Sequence, residues 1–165
     1  MRALTAVLVL AALASPATVR AACPADVTTQ RFAAPGRYGV GVRTLKLVDT
    51  LRRTPPHYDE PGSPERKLTT EVWYPAPSGD VSQAQRDAPL GDGGPFPLIV
   101  MSHGYLDSRL GEGVYARSLA SRGFIVAAPD FPLSNGAAPG GPTLIDLPNQ
   151  PGDVSFVINS LALLS

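Results

Sequence analysis

The fold is decided by one stretch, Pro97-Leu-Ile-Val-Met-Ser-His-Gly-Tyr105, in which an apolar run stops abruptly at Ser-His-Gly. This pattern is typical of a buried parallel strand that delivers a loop to a site at its carboxyl end. Further along, Arg122-Gly-Phe-Ile-Val-Ala-Ala-Pro-Asp130 predicts a second buried strand, and a helical pattern lies between the two. Strand, loop, helix and strand make a βαβ unit, so the sequence predicts an α/β fold with a mostly parallel sheet.

Two further strands are predicted before this unit. The segment from Tyr38 to Asp49 is rich in β-branched residues and partly alternates, as an antiparallel edge strand does. The segment from Leu68 to Pro75 alternates cleanly, with Thr70, Val72 and Tyr74 on one face. We expect these two strands to pair as a meander at one edge of the sheet.

Two helices are predicted, one inside the βαβ unit and one after it. The first runs from Leu110 to Ser121, and Gly123 is placed to end it. Its apolar side is expected to carry four side chains, those of Leu110, Val114, Tyr115 and Leu119. The second helix begins near Asp153, after a long loop over residues 131–148 that is rich in glycine and proline.

The first 22 residues predict a secretory signal peptide. An aliphatic run from Ala3 to Ala14 follows a charged residue, and small residues continue to Ala22. The run is shorter than a helix that spans a bilayer, which disfavours the alternative of a membrane anchor. Cys23 follows at once, but Arg20 stands where a lipoprotein signal has a Leu-like residue, so secretion is favoured over a lipid anchor at Cys23. Cleavage is expected after Ala21 or Ala22.

Charge and cysteine content exclude several classes of function. Lys plus Arg and Asp plus Glu are both 14, so no basic excess points to nucleic acid. Cys23 is the single cysteine, which rules out an intramolecular disulfide and a zinc cluster of cysteines. Because 18 prolines and 16 glycines occur in a chain with 44% hydrophobic residues, we expect long ordered loops rather than disorder. Residues 23–165 are therefore expected to be part of one domain.

Four segments together carry a resemblance to a known family. They are Tyr38-Gly-Val-Gly-Val-Arg-Thr-Leu45, Glu71-Val-Trp-Tyr-Pro-Ala76, Pro97-Leu-Ile-Val-Met-Ser-His-Gly104 and Leu119-Ala-Ser-Arg-Gly-Phe-Ile-Val-Ala-Ala-Pro-Asp130. In this order and spacing they resemble the N-terminal half of an α/β-hydrolase. The subgroup that the chain resembles is the secreted platelet-activating-factor acetylhydrolase-like and predicted dienelactone hydrolase group. The resemblance covers nearly all of the chain after the predicted signal peptide.

The resemblance implies a serine hydrolase whose oxyanion hole is made of two backbone N–H groups. One of these donors maps to the N–H of Tyr105, and Gly104 beside His103 is expected to let the backbone turn sharply. No Gly-x-Ser-x-Gly turn occurs in the sequence, so the nucleophile elbow of the family is unmatched. We therefore expect the nucleophile Ser, the acid and the catalytic His beyond Ser165, and no metal or organic cofactor. The expected fold is the N-terminal portion of an α/β-hydrolase, truncated before the nucleophile elbow.

Two histidines and a serine invite competing interpretations. His103 suggests a general base, but its place at a strand end before glycine favours a residue that fixes the loop through backbone hydrogen bonds. Ser102 is expected to be buried and structural. His57 suggests a metal site with Asp59 and Glu60, but a solvated polar loop is the favoured interpretation because no second His or Cys offers ligand spacing.

The remaining candidates have simple structural interpretations. Asp130 ends a parallel strand and either orients loops at a cleft or bonds to its own turn, the second being slightly favoured. Asp107 and Ser108 are expected to cap the helix that follows them. Trp73 and Tyr74 are expected to pack in the core rather than to bind a ligand.

Two functions from different classes follow. The first is a secreted carboxylic-ester hydrolase, esterase-like or lipase-like, that transfers an acyl group to water and takes a small-molecule or lipid ester. This chain would be its front half. The second is a non-catalytic extracytoplasmic remnant or binding module with the same partial fold. The resemblance favours the ester hydrolase, with no nucleic-acid partner and no stable membrane span.

Overall fold

The computed structural model of the protein describes residues 33–77 and 79–163. The predicted signal peptide and Cys23 lie outside the described residues. The described strands are β1 (Gly39–Asp49), β2 (Arg66–Ala76), β3 (Gln85–Arg86), β4 (Leu98–Val100) and β5 (Ile125–Pro129). The helices are α1 (Gly113–Ser121) and α2 (Gln150–Ala162), and a 3₁₀ helix (Leu144–Asn149) leads directly into α2. None of the described helices is long and apolar enough to cross a membrane.

The strands form one sheet in the order β3-β1-β2-β5-β4. β1 and β2 pair antiparallel over their whole length, with Val42 opposite Trp73. β4 and β5 pair in parallel, with Ile99 opposite Val126, and α1 connects them, so the predicted βαβ unit is confirmed. The predicted antiparallel pairing of β1 and β2 is confirmed, but β1 is not the edge strand, because the two-residue strand β3 pairs with its outer side.

Both faces of the sheet are covered by helices. The core on the α1 side is formed by Val40, Val42, Trp73, Ala116, Ala120, Val126 and Ala128. The core on the α2 side is formed by Leu68, Val72, Tyr74, Ala127 and Val157. Trp73 and Tyr74 are therefore packing residues, as predicted, and β2 is buried on both faces rather than on one. Helices on both sides of an open, mixed sheet define a three-layer α/β architecture.

The first helix turns a different face to the sheet from the one predicted. Its buried residues are Gly113, Ala116, Ala120 and Ser121, whereas Val114 and Tyr115 are about two-thirds exposed. Of the predicted apolar face, Leu119 is partly buried against the core. Small residues let the helix backbone approach the sheet closely, and this packing outweighs the spacing of the larger side chains. The C-terminal end is as predicted, since Gly123 follows it with φ +96°.

The predicted burial of the Leu98–Val100 strand is wrong for the described residues. All three residues of β4 are only half-buried, because β4 is the last strand of the sheet in this part of the chain. Its carboxyl end, however, lies beside that of β5, as the βαβ unit requires. The loops that follow β4 and β5 are thus neighbours at one edge of the sheet.

A buried ionic cluster joins the start of β2 to α2 and to the 3₁₀ helix. The Arg66 guanidinium donates to both carboxylate oxygens of Asp146 at 3.1 and 2.6 Å and of Asp153 at 2.6 and 2.7 Å. All three side chains are fully buried. Burial alone would lower the pKa of Arg66, but the hydrogen bonds to Asp153 and Asp146 raise that pKa above its ordinary value.

Candidate active site

The candidate site is the loop over residues 102–112, which follows β4. A second segment, residues 130–136, follows β5 and lies against it. In open α/β sheets, ligand sites form at the carboxyl ends of parallel strands, and both segments begin there. The position of the loop therefore agrees with the sequence prediction. The hydrogen bonds within the loop determine which of its polar groups remain available to a ligand.

His103 fixes the loop with both of its ring nitrogens. Nδ1 lies 2.7 Å from the carbonyl oxygen of Gly104, and the backbone N–H of Phe131 donates to Nε2 at 3.1 Å. A carbonyl can only accept and a backbone N–H can only donate, so the proton is on Nδ1 and the ring is neutral. The side chain is buried and packs against the Phe131 ring at a centroid distance of 5.0 Å. His103 thus fixes the loop through contacts of both ring nitrogens, as the sequence favoured.

The Tyr105 backbone N–H has no hydrogen-bond partner within the described residues. The chain after Tyr105 is fixed, because Leu106 N–H donates to Ser134 O at 3.0 Å and Gly136 N–H donates to Asp107 O at 2.9 Å. Before Tyr105, Gly104 O is held by His103 Nδ1 at 2.7 Å. The Tyr105 hydroxyl donates to Pro142 O at 3.0 Å. A rigid loop thus holds a donor whose hydrogen-bonding capacity is unused.

A sharp turn begins at Gly104, because the Asp107 N–H donates to Gly104 O at 3.2 Å and so closes a turn over residues 104–107. Gly104 has no positive φ, and a Cβ added to it would meet no atom within 4 Å. Leu106 instead has φ +71°, a left-handed conformation that costs a branched residue free energy and is found at functional sites. Gly104 thus starts the turn while Leu106 carries its left-handed conformation, and the described fold leaves open space in front of Gly104, next to the Tyr105 donor.

Three other predictions about this loop need correction. Ser102 is exposed rather than buried. Asp107 and Ser108 do not cap α1, which starts at Gly113 with Glu112 at its N-cap and no side-chain cap. Asp107 accepts from the Ser108 N–H at 2.7 Å and so closes a turn inside the loop. Local side-chain hydrogen bonds of this kind compete with capping.

Asp130 orients the loop, which is the interpretation that the sequence had slightly disfavoured. Its Oδ1 accepts from the backbone N–H of Arg109 at 2.6 Å, and its Oδ2 accepts from the Arg109 guanidinium at 2.6 Å. The guanidinium also lies 3.5 Å from a carboxylate oxygen of Glu71, which is 1% exposed on β2. Sequence reasoning missed Arg109 and Glu71, although a carboxylate in the middle of a predicted strand, directly before Val72 and Trp73, was a signal that it needed a cation.

His57 is buried, although Tyr58 and Asp59 beside it in the loop are exposed. Its Nε2 is 3.1 Å from Gly141 O, and this contact joins the loop between β1 and β2 to the loop that precedes the 3₁₀ helix. Among the residues described, no three His, Cys, Asp or Glu side chains lie together as a metal site would need. A pocket of about 360 Å³ lies beside His57 and is bordered by Asp130, Leu133 and Asn135. Residues 130–136 therefore border a pocket and also form hydrogen bonds with the loop over residues 102–112, which we call the Tyr105 loop.

The fold has relatives among known proteins. Residues 67–134 match the family model described as platelet-activating factor acetylhydrolase, isoform II. Among solved structures, the chain is similar to a ferulic acid esterase from Streptomyces cinnamoneus, with 28% identity and a TM-score of 0.61. That match covers 78% of this chain and 48% of the esterase, so this chain spans about half the length of the esterase. A search of curated protein sequences finds no significant match.

These comparisons support a class of fold and, over part of the chain, a resemblance to one family. The described residues have part of an α/β-hydrolase fold, as the sequence predicted. Within that class, the resemblance to platelet-activating-factor acetylhydrolases is confirmed over residues 67–134. The matched stretch contains all but the first residue of β2, the whole of β3, β4, α1 and β5, and with them the whole Tyr105 loop.

Proposed function

We propose that this chain forms the oxyanion-hole half of the active site of a secreted serine esterase. The observation that carries the proposal is the Tyr105 N–H, which has no partner among the described residues in a loop that is otherwise fixed by hydrogen bonds. A preorganised donor without a protein acceptor is what stabilisation of a developing oxyanion requires. The esterase named among the structural relatives supports the same reaction class.

In the proposed reaction, a serine Oγ attacks the ester carbonyl carbon while a histidine takes the serine proton. The carbonyl oxygen becomes an oxyanion and accepts hydrogen bonds from the Tyr105 N–H and from the N–H that follows the nucleophile. The tetrahedral intermediate expels the alcohol, which receives the proton from the histidine. Water then attacks the acyl-enzyme by the same route and releases the acid.

The nucleophile, the acid and the catalytic His are proposed to follow Ser165 in the full-length protein, that is, the product of the complete open reading frame. Two facts support this assignment. The sequence given contains no Gly-x-Ser-x-Gly turn, and the similar esterase is about twice as long as the part that this chain matches. Residues 1–22 are proposed to direct export and to be removed, with residues 23–165 forming the front of the hydrolase domain.

Hydrolysis of simple esters by the full-length protein tests the proposal. We expect p-nitrophenyl acetate and methyl ferulate to be cleaved by the exported protein, with a burst of p-nitrophenol and loss of activity after treatment with a fluorophosphonate. The mass of the active protein should correspond to a first residue of Ala22 or Cys23. A folded protein that cleaves neither ester, before and after export, would refute the esterase in favour of a binding module.

A further inference from the structure

Arg109 is in a position to control the geometry of the Tyr105 donor. It lies in the same loop, four residues after Tyr105, and its backbone and side chain both bind one carboxylate. Asp130 accepts from the Arg109 N–H and from the guanidinium, each at 2.6 Å. Two bonds from one residue to one carboxylate fix the direction of the chain as well as its position.

Asp130 is itself held by the sheet. It follows the last residue of β5, and its backbone N–H donates to Thr69 O in β2 at 2.8 Å. The side chain is 17% exposed, so the contact with Arg109 is partly shielded from water. An ion pair with restricted exposure and two short hydrogen bonds is stronger than one on the open surface.

Glu71 provides a second point of attachment for Arg109. The carboxylate is 1% exposed and accepts from the Thr44 hydroxyl at 2.7 Å, and the Arg86 guanidinium lies 2.6 Å away. Nε of Arg109 lies 3.5 Å from Oε2, the oxygen that also accepts from Thr44, and this is an ionic contact without hydrogen-bond geometry. A buried carboxylate holds cations near it, because an unpaired charge in the interior costs free energy.

From this arrangement we infer that Arg109 is a positioning residue for the oxyanion hole, acting through Asp130 and Glu71. The inference rests on the proposed esterase function and adds to it a group that does not touch the substrate. Glu71 lies inside β2 and Asp130 directly follows β5, whereas the Tyr105 N–H lies in a loop. Arg109 is thus the side chain that transfers the rigidity of the sheet to the loop that carries Tyr105.

Variants of the full-length protein test this role through kcat and KM measured separately. Arg109→Met should lower kcat for p-nitrophenyl acetate by about 100-fold, because misplacement of a catalytic group by about 1 Å has an effect of that size. KM should change little, since Arg109 does not contact the substrate. Arg109→Lys keeps one charged contact with Asp130 but loses the second contact of the guanidinium, that of Nε with Glu71, so its kcat should lie between those of Arg109→Met and the wild type, at about 10-fold below wild type.

Arg43→Met is the matched control, because Arg43 forms an exposed ion pair with Asp87 at the far edge of the sheet. Its kcat should equal that of the wild type. An unchanged kcat in Arg109→Met would overturn this inference but leave the esterase function standing. The same holds if kcat falls in both Arg109 variants only in proportion to the loss of folded protein. An inactive wild-type protein would refute the esterase function and this inference with it.

Discussion

Arg66→Met is expected to lower the free energy of unfolding of the full-length protein by about 3–5 kcal/mol, the largest stability effect of any single change considered. The substitution leaves the carboxylates of Asp146 and Asp153 buried without their shared cation. An uncompensated buried charge carries the full cost of its desolvation, and two facing carboxylates also repel each other. Arg52 contacts Asp153 at 2.9 Å and compensates only part of the loss.

Denaturant unfolding followed by circular dichroism measures this effect. Arg43→Met is again a suitable control, because both partners of its ion pair are more than half exposed and such pairs contribute about 0–1 kcal/mol. A loss below about 1 kcal/mol in Arg66→Met would contradict a structural role for the buried cluster. The three fully buried charges at the junction of β2 and α2 would then have no structural explanation.

Tyr105→Pro is expected to reduce kcat by about 100-fold to 1,000-fold, because proline has no N–H to stabilise the oxyanion. Tyr105→Ala is the matched control. It also loses the hydroxyl contact to Pro142, but it keeps the backbone donor. Since the Tyr105 N–H bonds to no acceptor within the described residues, its removal should leave the melting temperatures of the two variants close together.

Equal activity of Tyr105→Pro and Tyr105→Ala would refute the assignment of the donor. A proline also imposes its own φ, so a melting temperature well below that of Tyr105→Ala would indicate backbone strain instead. In that case, replacing the amide of residue 105 by an ester removes the same N–H without the ring. The ester variant should show the same loss of kcat as the proline variant is predicted to show.

Local patterns in the sequence predicted most of the strands and helices. The apolar run before Ser102 marks the strand β4, and Gly123 marks the end of α1. Each of these signals lies within a few residues of the element that it predicts. The βαβ unit then brings the ends of β4 and β5 to one edge, which placed the Tyr105 loop correctly. The loop-fixing role of His103 also followed, because its neighbours in sequence imply a strand end.

The errors concern packing and long-range pairing. Val114 and Tyr115 gave α1 an apparent apolar face, but Ala116 and Ala120 face the sheet because their small size permits close approach. The two-residue strand β3 and the 3₁₀ helix were missed, since neither has a periodic signal. Short elements of this kind are specified by what they pack against.

The charged partners could not be predicted from spacing alone. Arg66 meets aspartates 80 and 87 residues further along the chain, and Arg109 meets Asp130 across the βαβ crossover. In the sequence, Arg66 resembles an ordinary polar residue at the start of a strand. Glu71 was the one detectable anomaly, because burial of β2 on both faces requires a partner for any carboxylate in its middle.

A crystal structure of the full-length protein with a covalently bound phosphonate ester tests the central claim most directly. The adduct places a phosphonyl oxygen where the oxyanion of an ester substrate would form. We predict that this oxygen lies about 2.7–3.1 Å from the backbone nitrogen of Tyr105, with the phosphorus bonded to a serine beyond residue 165. An oxygen that faces away from Tyr105, or a folded protein that forms no adduct, would contradict it.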